Sequence, residues 1–175
     1  MAITVEDGTG LAAADSYLSV ADADTYHTKH GASTDWSGAS TATKEEALRI
    51  ATQYLDVVYS RRWIGVRQVE TQSLAWPRWQ VVDYDGFTIG DDEVPSQLED
   101  ATAELAVRHI TETGGLLPDI ASPGTIQSER TGIGRGAVTT SKTFVGGKSQ
   151  IKQFRKVELL LRDLLVASSG EIARA

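Results

Sequence analysis

TKEEALRIATQYLDVVY, residues 43–59, is the stretch on which the fold class turns. Ala47, Leu48, Ala51, Tyr54, Leu55 and Val58 recur at three- and four-residue spacing. That spacing lines one helix face with apolar groups, which need a cover. Thr43 and Glu46 read as a capping box that starts the helix, and the pattern runs to about Tyr59. Arg61-Arg62-Trp63-Ile64-Gly65 leads the chain away.

Similar patterns lie on either side. Ser19 is placed to cap a helix over VADADTYHTKH, with Gly31 as its stop. Residues 31–42 read as a polar loop with Trp36 as its one anchor. Pro95 suits the first turn of another helix, and Asp91, Asp92 and Glu93 just before it complement the positive helix end. Leu98, Ala101, Thr102, Leu105 and His109 make its stripe, and Gly114-Gly115 is the expected stop.

Between these helices runs SLAWPRWQVVDYDGFTIGDDEVP, residues 73–95. It has no helical period and is too apolar for a solvated linker. We expect an ordered loop, anchored by Trp76, Pro77, Phe87 and Pro95, with Ile89 folding back beside Phe87 and Asp85-Gly86 forming a turn. Trp79 and Tyr84 are the residues expected to be left for a neighbour.

After LLPDIASPG come two β-branched runs, IQSERT and AVTTSKTFV, around GIGRG, which read as a β-hairpin. Ser149 is then placed to cap a last helix, QIKQFRKVELLLRDLLVA. Its stripe of Ile151, Phe154, Val157, Leu161, Leu164 and Leu165 is too wide to stay exposed, and must bury in its own chain or on another. The expected architecture is mainly α: a small bundle of about four helices with a β-hairpin appendage and a C-terminal amphipathic helix. Residues 1–118 form the core with its 73–95 loop, 119–148 the linker and hairpin, and 149–175 the last helix and tail.

The composition, with 41% apolar and 23% charged residues, is globular. There is no cysteine, so disulfides and thiolate zinc sites are unavailable. No membrane span is expected, because no run approaches the ~18 apolar residues it requires. Residues 1–140 carry 10 Lys/Arg against 21 Asp/Glu, a balance of −11, and residues 141–175 carry 7 against 3, a balance of +4. The asymmetry fits two regions that face different surroundings; it equally fits a cationic end packed on an acidic body.

Three motifs approach a functional pattern and miss. Gly146-Gly147-Lys148-Ser149 lacks the earlier glycine of a phosphate loop, since Lys142 stands there. Gly132-Ile133-Gly134-Arg135-Gly136-Ala137 matches a dinucleotide fingerprint by letter, but a strand-like run follows where a helix is needed. Asp83-Tyr84-Asp85-Gly86 resembles part of a calcium loop, with Val81 at the first ligand position. His27, His30 and His109 have no paired nucleophile in the sequence. We expect no catalytic residue, no metal and no cofactor. The four tryptophans, with Arg61, Arg62, Arg67 and Arg78 near three of them, would suit a single-stranded DNA platform. The acidic body opposes this, and anchoring of loops to a core is the favoured use of those rings.

Asp15-Ser16-Tyr17 with Val20-Ala21-Asp22-Ala23-Asp24, and Leu74-Ala75-Trp76-Pro77-Arg78 followed by Asp85-Gly86 and Val94-Pro95, together resemble a family. It is the family of bacteriophage proteins often labelled "putative DnaT-like single-stranded-DNA-binding protein", found as head–tail connector, or head completion, components. The resemblance covers roughly residues 3–130. It implies a mostly helical adaptor in the virion neck, in a ring of identical subunits under the portal protein, with the twelvefold symmetry usual for a portal. A tail or stopper protein would lie downstream, and double-stranded DNA would pass through the lumen without specific binding. On that reading Phe154, Val157, Leu161, Leu164 and Leu165, with Lys152, Arg155, Lys156 and Arg162, are candidates for the portal or subunit interface. Trp79, Tyr84, Arg130, Arg135 and Phe144 are candidates for a neighbouring subunit or tail contact. The alternative expectation is a replication accessory protein that binds single-stranded DNA.

Overall fold

The computed structural model describes residues 2–31, 34–112, 115–117, 126–134, 137–144 and 154–166. The chain is mainly α, with a small antiparallel hairpin. It divides into two compact units: Met1–Leu116 with Phe154–Ala175, and Leu117–Gln153.

In the first unit α1 spans Val20–Lys29, α2 Thr34–Gly38, α3 Thr41–Tyr59, α4 Ser96–Thr111 and α5 Arg155–Leu160. Helices α3 and α4 are the central pair. The expected stripe of α3 is realised: Ala47, Leu48, Ala51 and Leu55 are fully buried and Tyr54 nearly so. Leu98, Ala101 and Leu105 bury the matching face of α4. Ser19 caps α1, its Oγ accepting from the Asp22 amide at 3.1 Å.

Several boundaries differ from the sequence reading. The cap of α3 is Ser40, whose Oγ accepts from the Thr43 amide at 3.2 Å, so the helix starts before the expected capping box. Two overlapping cap signals compete here, and the earlier one satisfies the Thr43 amide while adding most of a helical turn. Pro95 precedes α4 as its N-cap instead of occupying the first turn, and its carbonyl accepts from the Leu98 amide at 2.9 Å. The loop expected at 31–42 contains the short helix α2, and Trp36 is its buried anchor. Gly114 lies outside the described residues.

The long last helix is the largest correction. Among the described residues of that stretch, Arg155–Leu160 alone is α-helical, followed by a 3-10 turn at Arg162–Leu164; Ile151 and Lys152 lie outside the described residues. Phe154, Val157, Leu161, Leu164 and Leu165 are all buried in the core of the first unit. The chain bends to deliver them. The Ile64 amide donates to the Leu164 carbonyl at 3.1 Å and the Val166 amide to the Arg62 carbonyl at 2.6 Å, so the segment ends as a strap beside Trp63. Lys156 donates to Glu104, and Arg108 lies over the Phe154 ring. The apolar spacing was legible, but the pairing of Leu164 and Val166 with Ile64 and Arg62 takes an extended backbone that a helix cannot supply.

The second unit holds β3, Ile126–Gly134, paired antiparallel with β4, Ala137–Phe144. Ile126 pairs with Phe144 and Gly134 with Ala137, with a register shift between Ile126 and Ser128. This is the expected hairpin, and Gly132 and Gly134 lie in a strand, not at a helix start.

Candidate interaction surface

The long loop between α3 and α4 is pinned from below by one buried network. Tyr17, 1% exposed, donates to Asp56 Oδ1 at 2.5 Å. Its oxygen accepts from the Ala75 amide at 3.0 Å and the Trp76 amide at 3.3 Å, while Asp56 Oδ2 also accepts from the Ala75 amide. Burial pushes the Asp56 carboxyl up to about 6, against the Tyr17 and Ala75 hydrogen bonds that lower it. Burial and the neighbouring Asp56 charge together raise the Tyr17 phenol well above its ordinary value. Trp76 follows, fully buried, with a cis bond to the buried Pro77. Burying such a ring removes roughly 200 Å² from water, about 5 kcal/mol at ~25 cal/mol per Å².

A second clamp sets where the loop emerges. Arg78 donates to the carbonyls of Ile64 and Gly65 at 2.7 Å each and of Ala75 at 3.1 Å. Here β1, Val66–Arg67, pairs with β2, Arg78–Trp79. A side chain at Gly65, where φ is +69°, would meet the Trp79 carbonyl at 2.3 Å. Gln80 then turns the chain at φ +59°. From it a small hairpin rises: the Ile89 amide donates to Val81 at 3.0 Å, and the Asp83 amide to Phe87 at 2.9 Å. The expected Asp85-Gly86 turn closes its tip, with the Gly86 amide donating to the Asp83 carbonyl at 3.1 Å.

The result is a set of exposed apolar side chains on a hydrogen-bonded frame. Val66, Trp79 and Val82 are about half exposed, Phe87 is 71% exposed and Tyr84 86%. Trp79 and Tyr84 thus stand where the sequence reading put them. Phe87 does not: it was expected as an anchor, but the tip carries it outward. Val81 takes the buried position and Ile89 only half covers the stem. Alternation along a strand sends Val81 and Val82 to opposite sides, which the sequence leaves ambiguous because both are apolar. Pro95 is buried as expected.

Trp36, Trp63 and Trp76 are spent on packing, and cannot form the four-ring platform considered above. Trp36 Nε1 donates to Asp24 at 2.7 Å, and Trp63 meets Trp76 edge to face at 5.9 Å. Of the arginines, Arg78 is a staple. Arg67 donates to the carbonyls of Gln72 and Glu70, and Arg62 lies over the Tyr59 ring. The exposed rings sit instead in acidic company. From Trp79 to Val107 the chain has no Lys or Arg, while Asp83, Asp85, Asp91, Asp92 and Glu93 all fall within it.

A family model described as "Putative DnaT-like ssDNA binding protein" matches residues 1–175. The chain belongs to this DnaT-like family. No curated protein and no solved structure matches it. The two motif clusters resembling the family do structural work here. Tyr17 of the first meets Ala75-Trp76 of the second in the network described above. Arg155 and Arg162 are exposed, Lys156 is tied to Glu104, and Arg135 lies outside the described residues. Arg130 and Phe144 fall in β3 and β4. Among the described residues no group of three or more His, Asp or Glu is placed to hold a metal ion, and no helix is long and apolar enough to cross a membrane.

Missed entirely in the sequence was Glu6. It is buried, and accepts from the amides of Gly8, Gly10 and Leu11 at 3.1, 2.8 and 2.9 Å, shaping the N-terminal turn. The glycines around it were the only trace.

Proposed function

We propose that this DnaT-like family member is a structural adaptor at the head–tail junction of a tailed bacteriophage. It would assemble as a ring under the portal protein and continue the DNA channel toward the tail. The observation that carries this reading is the exposure of Val66, Trp79, Val82, Tyr84 and Phe87 on one hydrogen-bonded loop, most of it an acidic stretch. Large exposed aromatic groups on a rigid support suit protein contacts, because their area binds without costing much side-chain entropy. An acidic wall suits passing DNA, since phosphates find few cations to displace their counterions. Resemblance to phage connector components supports the place in the particle. Electron microscopy of the purified chain, alone and mixed with portal, tests the proposal. Rings or portal-bound density support it; chains that never join portal-containing particles refute it.

The family description favours a second reading, a protein that binds single-stranded DNA. Trp79, Tyr84 and Phe87 would then be the stacking groups, with Arg61 and Arg62 as accompanying cations. Titration of a fluorescent oligonucleotide at two salt concentrations decides this. Affinity weaker than ~10⁻⁴ M at moderate salt, below ordinary non-specific binding, removes it.

A further inference from the structure

The sequence holds two Asp-Gly steps, Asp7-Gly8 and Asp85-Gly86, and no asparagine. Such a step can close on itself, because the glycine nitrogen lies one five-membered ring away from the aspartyl carboxyl and no side chain hinders its approach. The two steps share even their backbone, with φ of +96° at Gly8 and +88° at Gly86. Their surroundings differ. The Gly8 amide donates to the buried Glu6 carboxylate at 3.1 Å. Asp7 Oδ1 accepts from the Thr9 amide at 3.0 Å and the Thr9 hydroxyl at 2.6 Å. Gly8 is buried, and a side chain there would run into the Asp92 carbonyl. At the other step both residues are exposed, and a side chain on Gly86 would meet nothing within 4 Å. Among the described residues the Asp85 carboxyl has no hydrogen bond or ion pair. The Gly86 amide is held by the Asp83 carbonyl alone, at 3.1 Å, in a turn beyond the Val82–Thr88 bridge. Freeing it takes a local opening of the tip, not of the core.

We infer that Asp85-Gly86 is a site of spontaneous backbone modification, converted to isoaspartate through a cyclic imide, while Asp7-Gly8 in the same chain is held unreactive. The Gly86 nitrogen attacks Cγ of the neutral Asp85 carboxyl. An N–Cγ bond forms, a Cγ–O bond breaks, and the amide proton leaves with the hydroxyl as water. Water then adds to the main-chain carbonyl carbon of Asp85 and breaks its bond to the Gly86 nitrogen. Gly86 stays joined through Cγ, and the former main-chain carbonyl becomes a free carboxylate. No reactant other than water is needed, and the mass does not change. The backbone between Tyr84 and Phe87 gains one carbon. Those rings are 86% and 71% exposed, so the change falls on what the tip presents to solvent and leaves the core intact. The inference is independent of the adaptor reading, and neither falls with the other.

Storage of the full chain at 37 °C and pH 6 is the test. Tryptic digestion puts the two steps in different peptides, 1–29 and 79–108. Isoaspartate is then read as methyl transfer from S-adenosylmethionine by an isoaspartate-specific carboxyl methyltransferase, with the residue located by fragmentation. Residue 85 should convert at least about tenfold faster than residue 7, since only the latter must break several hydrogen bonds first. In guanidinium chloride the two rates should converge. Asp85→Glu should abolish the signal in 79–108 with circular dichroism unchanged, because a longer side chain closes the ring poorly. Equal rates in the folded chain overturn the inference, as does no conversion at residue 85 or a signal that survives Asp85→Glu. A tenfold preference that persists in denaturant also overturns it, because the protection of Asp7 would then not come from the fold.

Discussion

Replacing Tyr17 with phenylalanine removes one oxygen from the network under the loop. The ring volume stays, so no cavity forms. Two things are lost. The Asp56 carboxylate loses a donor at 2.5 Å, and hydrogen bonds to charged groups are worth about 1.5–3 kcal/mol. The Trp76 amide loses its acceptor at 3.3 Å, and a buried unpaired donor costs about 1–3 kcal/mol. The Ala75 amide keeps Asp56 Oδ2 at 3.0 Å. The two losses share a partner and do not add fully, so we expect a destabilisation of about 3 kcal/mol at pH 8. With a urea slope near ~2 kcal/mol per M, the midpoint should fall by about 1.5 M with unchanged slope. Its pH dependence is the sharper check. The folded Asp56 pKa, about 6, lies above the ordinary 3.8, so this group stabilises the fold most below the ordinary value and loses that contribution as pH rises through 6. The Tyr17 bond limits the loss. Without it the folded value climbs further, so the Tyr17→Phe penalty must grow from pH 5 to pH 8, by about 1–2 kcal/mol. Equal penalties at the two pH values, or less than ~1 kcal/mol at pH 8, would refute this account of how the loop is held.

Leu161→Asp should leave the chain unfolded or melted by more than ~4 kcal/mol in circular dichroism, because Leu161 is fully buried in its own core; a folded mutant would mean that the strap detaches freely. Phe87→Ser should change the urea midpoint by no more than ~0.5 kcal/mol equivalent, since its ring is mostly in water; a larger loss would restore it to the role of anchor. Burial lowers the His27 pKa, so its stabilising contribution is present above the ordinary value near 6.5 and is lost as pH falls below it; the steepness of unfolding midpoint against pH between 7.5 and 6 should lessen in His27→Gln.

The helices were legible because their evidence is local. Apolar residues every three or four positions in α3 and α4 need only the helix period to be read, and Ser19 before Val20 needs only the chemistry of an orphan amide. The β3–β4 pairing was visible from two β-branched runs around a glycine-rich tip. Trp76 and Pro77 were identifiable as anchors because a loop so apolar must bury something. Phe87 was misread because its apolar character says nothing of how far the small hairpin carries it from the core; it sits beside the Asp85-Gly86 turn, beyond the reach of the stem that buries Val81. The last segment was misread for a different reason. Its apolar spacing fits a long helix, yet helical propensity is worth only tenths of a kcal/mol per residue, and packing overrides it.

Taken alone, the amino-acid order determined the central helix pair, the hairpin, the acidic bulk with its basic end, and the anchoring tryptophan, because each follows from periodicity, caps or charge over a few residues. Only tertiary structure decided that the C-terminal leucines close the chain's own core, that Tyr17 and Asp56 hold the loop across 58 and 19 residues from Ala75, and that Trp79, Tyr84 and Phe87 are left largely in water. Those outcomes depend on which distant surfaces meet, and long-range contacts are chosen by the area they bury together, a quantity that no single segment contains.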